Sequence, residues 1–329
     1  MQLVIDTQGA SLRARSGSFL VSTKEKSRRI APARITGILV MADCSISAQA
    51  IDLAVEAGVP ILFFDTMGQP SARIWSARLT SHPEVRRKQT LFELDRKAAG
   101  KWAASLYRLK AQSQIDVLRA NAAADNLTAR MEGLMGHLAE DHLPADGAFE
   151  PYLMQVEAQV ARIYWKTLGS SLSAAYRFEN RSRRPAEDMF NAALNYLYGM
   201  LYNVVEGAVF AAGLDPYLGI VHADEYNKPV LAFDIIEPFR AWVDELLVSI
   251  CREERLEASH FDVQTEIKAE GLRLNKSGKR LLVPAFEQAM HARKSWQGEE
   301  AMARNHIFQY CGEFAQFLKN YTPNVRIGD

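Results

Sequence analysis

Four side chains in this sequence are of types that can bind a cation or move a proton, and each also has an ordinary structural reading: Glu157, His222, Asp234 and Glu237. Glu157 lies in VEAQVARIYW, a helical run dominated by apolar residues, where a lone glutamate is ordinarily a solvated charge. His222 closes GLDPYLGIVH, in which Gly213 ends a helix, Asp215-Pro216 turns the chain and a short apolar segment delivers the imidazole. A histidine so placed is a hydrogen-bonded structural residue, or else a ligand or base. Asp234 and Glu237 stand i,i+3 in VLAFDIIEPFR, so on a helix their carboxylates share one face. Ionised groups inside an apolar run are costly unless they are paired or bind metal. The same D-x-x-E spacing is also a capping box with Asp234 as N-cap, and the two readings can coexist.

Basic residues gather in two further places. YRFENRSRRPAED carries Arg177, Arg181, Arg183 and Arg184, and RLNKSGKR carries Lys276, Lys279 and Arg280 around a Ser-Gly turn. Such clusters suit phosphate contacts, and they equally describe solvated basic loops. Arg162 shares the helix of Glu157 but lies five residues on, on a different face. No G-x-x-x-x-G-K-[ST] loop, G-x-G-x-x-G fingerprint or G-x-S-x-G elbow occurs, so nucleotide-dependent and serine-hydrolase chemistry lack support. His137 and His142 stand five apart, a poor spacing for a zinc protease, and the aromatic residues along the helices read as core.

The elements that must position these groups fall into two textures. Residues 1–80 hold short apolar stretches (LVID, LRAR, FLVS, ITGILV, PILFFD) separated by glycines, the pattern of strands and turns. One helix interrupts them, SISAQAIDLAVEAG, with Gly58 at its end. From 81 to 329 the pattern is helical. Ser81, Pro83 and Glu84 suggest a capped start, and Leu94, Ala98, Trp102, Leu106 and Leu109 keep helical spacing. A second helical stretch runs to about 140 and another resumes near Pro151. The most periodic spans 186–212, with Pro185 before it and Gly213 after it; 238–256 and 284–320 again read as helix. The expected fold is α+β: a small N-terminal β-rich domain, then a larger all-α domain.

Composition narrows the function little. Net charge is zero, with 12 basic against 7 acidic residues over 1–90 and 27 against 32 beyond, and neither balance marks a nucleic-acid binder. No apolar run approaches the roughly 20 residues of a membrane span, and MQLVIDTQGA has none of the parts of a signal peptide. Cys44, Cys251 and Cys311 form no C-x-x-C pair, which argues against a structural zinc or disulfide framework and fits a reducing cytoplasm.

Taken in order, the segments resemble one family. E-A-Q-V-A-R-x-Y-W from Glu157, N-A-A-L-N-Y at 191–196, A-G-L-D-P-x-L-G-x-x-H ending at His222 and L-A-F-D-I-I-E-P-F-R are similar to the motifs of the CRISPR adaptation integrase, the universal Cas-one protein. The strand–helix–strand form of ITGILVMADCSISAQAIDLAVEAGVPILFFDTMGQP extends the resemblance into the β domain. It implies a β-rich dimerisation domain at 1–80 and a helical catalytic domain at 81–329. It also implies a homodimer that assembles with the small second Cas protein and inserts prespacer DNA into the repeat of a CRISPR array. The family's metal ligands, a glutamate, a histidine and an acidic residue, map to Glu157, His222 and the Asp234/Glu237 pair. Glu237 is the preferred direct ligand of the two.

The implied reaction is a transesterification in which a 3′-hydroxyl attacks a phosphodiester. Carboxylates suit Mg²⁺ and Mn²⁺, an imidazole tilts preference toward Mn²⁺, and no side-chain nucleophile is needed. Arg162, Arg181, Arg183, Arg184, Lys279 and Arg280 are the candidate DNA contacts. Two alternatives stand beside this reading: a branched-DNA nuclease of repair, and a non-enzymatic DNA-binding scaffold.

Overall fold

The computed structural model describes residues 2–35, 37–64, 70–74, 83–122, 124–144, 147–222, 228–264 and 271–323. Two compact units divide the chain, Met1–Ser81 and His82–Asp329, each with its own buried apolar core.

The first unit holds β1 (Gln2–Ile5), β2 (Ala10–Arg15), β3 (Ser18–Ser22), β4 (Ser27–Ile30), β5 (Gly37–Val40), β6 (Cys44–Ile46), α1 (Ala48–Glu56), β7 (Ile61–Phe64) and β8 (Pro70–Ile74). One sheet has the order β1-β5-β7-β8, its first three strands parallel and β8 antiparallel to β7. The other has the order β4-β3-β2-β6, antiparallel except where β6 runs along β2. All four residues of β5 are buried, as a central parallel strand requires. β4, Ser-Arg-Arg-Ile, leaves three residues exposed at a sheet edge, so apolar patterning does not show it. Ser47 caps α1 by accepting from the Ala50 amide.

The second unit is built on α2 (Pro83–Leu94), α3 (Arg96–Asn121), α4 (Asp125–Gly136), α5 (Phe149–Ser171), α6 (Met189–Ala211), α7 (Val230–Ile235), α8 (Arg240–Arg252), α9 (Lys276–His291) and α10 (Ala303–Asn320). Among the described residues, no helix is long and apolar enough to cross a membrane. α3 packs on α5, α4 and α8, and α6 on α8 and α10. Gly100 of α3 meets the Phe149 ring so closely that a Cβ would stand 3.0 Å from it.

Several boundaries differ from the periodicity. The long helix expected after residue 83 breaks at Asp95, which caps α3 by accepting from the Ala98 amide and also accepts from Tyr321 Oη at 2.5 Å. Ser81 lies outside the described residues. α6 starts at Met189 rather than at 186, because the Asp188 side chain accepts from the Asn191 amide and fixes the start there. The expected helix over 284–320 is interrupted by a hairpin, β11 (Arg293–Trp296) and β12 (Glu299–Met302). Gln297 and Gly298 turn it with φ of 51° and 83°, the left-handed pair that a two-residue hairpin turn needs. A second hairpin pairs β9 (Phe261–Gln264) with β10 (Gly271–Leu274), so the helical unit carries two small β elements.

Candidate active site

The C-terminal unit brings three elements to one point. Lys110 of α3 places Nζ 2.5 Å from Glu157 Oε1 on α5 and 2.6 Å from Glu237 Oε2. Glu237 opens a short 3₁₀ turn, Glu237–Phe239, between α7 and α8, and Pro238 in that turn has no N–H to leave unpaired. The other oxygen of Glu237 accepts from Arg240 Nε at 2.9 Å. Arg240 in turn lies over the Tyr198 ring of α6, 4.8 Å from its centre. Burial works against the Glu237 carboxylate, but Arg240 and Lys110 outweigh it and hold its pKa at about 2. Burial also opposes the Lys110 charge, and the two glutamates overcome it and keep the ammonium above the ordinary lysine range.

Asp234 does different work. It is fully buried near the end of α7 and caps no helix; its side chain turns back onto the loop before it. Oδ2 accepts from the amides of Ile220 at 2.8 Å and Val221 at 3.1 Å, and Oδ1 from the His222 amide at 3.1 Å. His222 Nδ1 lies 2.6 Å from the same Oδ1. The capping-box reading of D-x-x-E therefore fails: the amides that Asp234 satisfies belong to the 220–222 loop, not to a helix start.

The loop is held from both ends. Gln89 of α2, fully buried, donates to the carbonyls of Asp215 and Leu218 and accepts from the Asp215 amide. At Gly219 a Cβ would stand 2.3 Å from the His222 carbonyl, so the turn closes only around a glycine. His222 emerges with its side chain 46% exposed. The hydrogen bond to Asp234 is the main cause that lifts its pKa above the ordinary histidine value; burial opposes it, and the charges of Asp234 and Glu237 add to it. His222 and Glu237 thus stand within electrostatic reach of each other.

Among the described residues, no three His, Cys, Asp or Glu side chains stand close enough to enclose a metal ion as they are placed. The donor set nevertheless suits one. Two carboxylates from separate elements already converge on a single positive charge, and Glu237 Oε2 is a buried oxygen that meets no donor in aligned hydrogen-bond geometry. With Nδ1 turned to Asp234, His222 has Nε2 left to offer.

Behind the site, Asp244 of α8 accepts from Tyr164 Oη at 2.7 Å and Tyr198 Oη at 2.6 Å, and burial pushes its pKa up to about 6. Arg181 belongs to this layer. Its guanidinium donates to Asn191, Asn195 and the Ser182 carbonyl and lies over the Trp165 and Tyr198 rings. Arg162, Arg183, Arg184 and Arg280 are exposed, while Lys279 is half-buried over the Tyr196 ring. Lys110 and Arg240 escaped the sequence reading. Arg240 carried a local signal, its i+3 spacing from Glu237; Lys110 carried none, because its partners are distant in the chain.

Comparison with known proteins fits this arrangement. A family profile described as CRISPR associated protein Cas1 matches residues 3–288. The chain is 32% identical to a CRISPR-associated endonuclease Cas1 of Thermus thermophilus over 88% of its own length and 87% of the relative's. It is 33% identical to one from Saccharolobus solfataricus, over 74% and 69% of the two chains. In fold it is similar to a casposase bound to integration product, with a TM-score of 0.82, 23% identity and coverage of 100% and 96%. A Cas1 protein of Thermotoga maritima superposes with a TM-score of 0.80, 21% identity and 97% coverage of both chains. This chain belongs to the Cas1 family of CRISPR associated proteins.

Proposed function

We infer that this chain is a divalent-metal-dependent DNA endonuclease and integrase of CRISPR adaptation, which joins a prespacer 3′-hydroxyl to a phosphodiester of the repeat. The observation that carries the reading is the convergence of Glu157 and Glu237 on one cationic point, beside a histidine whose orientation is fixed by a buried aspartate. Relatives named as endonucleases and a similarly folded casposase solved with its integration product support it.

Glu157, Glu237 and His222 would hold the ion. Mg²⁺ or Mn²⁺ bound there would lower the pKa of the attacking hydroxyl and neutralise charge on the phosphate. Asp234 serves as a positioning residue: with both oxygens engaged by amides and imidazole, it sets the tautomer that frees His222 Nε2. Arg240 keeps Glu237 ionised and aimed. Arg162, Arg183, Arg184, Lys279 and Arg280 would steer the DNA backbone, whereas Arg181 is committed to α6 and holds the wall behind the site. The first unit is proposed to serve dimerisation, and the small second Cas protein to complete the assembly, in keeping with a similarly folded chain solved in a Cas6-RT-Cas1–Cas2 complex.

Strand transfer of a prespacer into supercoiled array plasmid, with Mg²⁺ or Mn²⁺ and with the second Cas protein, tests the reading. Integrated product is expected, with loss in Glu157→Gln and Glu237→Gln. Full activity in both variants would leave a DNA-binding scaffold, and cleavage of branched DNA without integration would favour a repair nuclease.

A further inference from the structure

Between Glu157 and Glu237 stands a side chain that carries the wrong sign for a cation site. An ammonium has no lone pair to offer an ion, and two positive charges cannot share a gap that Lys110 Nζ already fills at 2.5 and 2.6 Å from its two carboxylates. Lys110 cannot withdraw by moving its backbone. It sits mid-way along α3, where Leu106, Tyr107, Ala111 and Gln114 are buried around it. Its four-carbon stem, however, can swing.

A destination exists on the same helix. Gln114, one turn further along α3 and 4% exposed, has a buried Oε1 with no hydrogen-bond partner among the described residues. Lys110 and Gln114 line one narrow crevice with Tyr107, Val156 and Glu157, and the Lys110 ammonium lies 5.7 Å from the centre of the Tyr107 ring. A buried, unsatisfied amide oxygen four residues from a lysine is an acceptor placed for that lysine.

We propose that Lys110 is a built-in cation that fills the metal position while no divalent ion is bound, and that an entering ion displaces it toward Gln114. The proposal rests on reading Glu157 and Glu237 as cation ligands. It makes Lys110 a positioning residue: it neutralises the buried Glu237 and the half-buried Glu157 when no divalent ion is bound and sets a threshold of ion concentration for loading.

The test measures Mn²⁺ binding to the full-length chain without DNA, following loss of the free-ion electron paramagnetic resonance signal, alongside melting temperature. Lys110→Met and Lys110→Gln remove the charge, Lys110→Arg keeps it, and Glu157→Gln removes a ligand. The neutral variants should bind Mn²⁺ about tenfold or more tightly than the parent, a modest return for removing a unit charge from beside the ion. They should also melt lower without metal and gain more from Mn²⁺ than the parent gains. Lys110→Arg should bind no more tightly than the parent. If neutral variants bind Mn²⁺ equally or more weakly, while Glu157→Gln abolishes binding, displacement of Lys110 is overturned and the metal site survives. If Glu157→Gln leaves Mn²⁺ binding intact, or no protein in the series binds Mn²⁺, both readings fall.

Discussion

Asp234 and Glu237 are three residues apart, both are buried, and the molecule uses them in opposite ways. Asp234 is surrounded by dipoles: three amides and an imidazole occupy its two oxygens. Glu237 is surrounded by charges, Lys110 on one oxygen and Arg240 on the other. A carboxylate bonded to backbone amides fixes the chain that carries them. One balanced by side-chain cations can exchange a partner, because a flexible lysine can leave. The difference between a loop-holding and an ion-paired carboxylate thus lies in what surrounds it, and here two residues of one motif divide those settings.

Substitutions can break that contrast. Asp234→Ala has the largest expected effect on stability, since it strands three buried or half-buried amides and releases His222. A loss of about 3–5 kcal/mol is expected, read as a melting temperature lower by roughly 10 °C, with strand transfer lost as well. A melting temperature close to the parent's would put Asp234 in the same class as Glu237. Glu237→Gln should do the reverse: the protein stays folded while strand transfer falls by roughly a thousandfold, the scale for losing a charge-stabilising group at a reacting phosphate. Equal damage to folding from both substitutions would erase the distinction.

Acid sharpens it further. The folded-state pKa of Glu237 is held at about 2, below its ordinary value of 4.5. Its contribution to stability is therefore complete above pH 4.5 and is lost as pH falls toward 2. The parent should lose on the order of 2 kcal/mol more than Glu237→Gln across that window in chemical denaturation. Parallel pH profiles for the two proteins would contradict the ion-pair account. The smallest effects belong to the surface: Arg183→Ala and Arg184→Ala should each weaken DNA binding a few-fold and reduce the salt slope by about one phosphate contact. Arg181→Ala should instead lower the melting temperature, because its guanidinium is spent on Asn191 and Asn195.

How much of this was legible in the residues varies by element. The glycine-punctuated apolar runs of the first 80 residues and the apolar stripe of α6 declare themselves, because burial on one face imposes a period. β4 does not, since an exposed edge strand needs no apolar pattern. The β11–β12 hairpin was hidden inside apparent helix, and only Gln297-Gly298 betrays it. At the site, the motifs pointed to Glu157, His222, Asp234 and Glu237 and preferred Glu237 over Asp234 only through the family resemblance, because the amides that occupy Asp234 lie in a loop a dozen residues earlier. Lys110 was illegible: nothing local to α3 tells a core-facing lysine from a solvated one, and its partners arrive from α5 and from the turn after α7.

The order of synthesis also bears on the pairing of α3 with α5. Glu157 is made about 80 residues before Glu237, and Lys110 earlier still, a delay of at least roughly 4–16 s at ordinary elongation rates. Their helices pack directly on each other, so the lysine can greet its first carboxylate while the second is still unsynthesised. Each acidic group then joins a positive charge already waiting for it. For Glu157 and Glu237, then, the matching cation is already in the chain before either carboxylate is made.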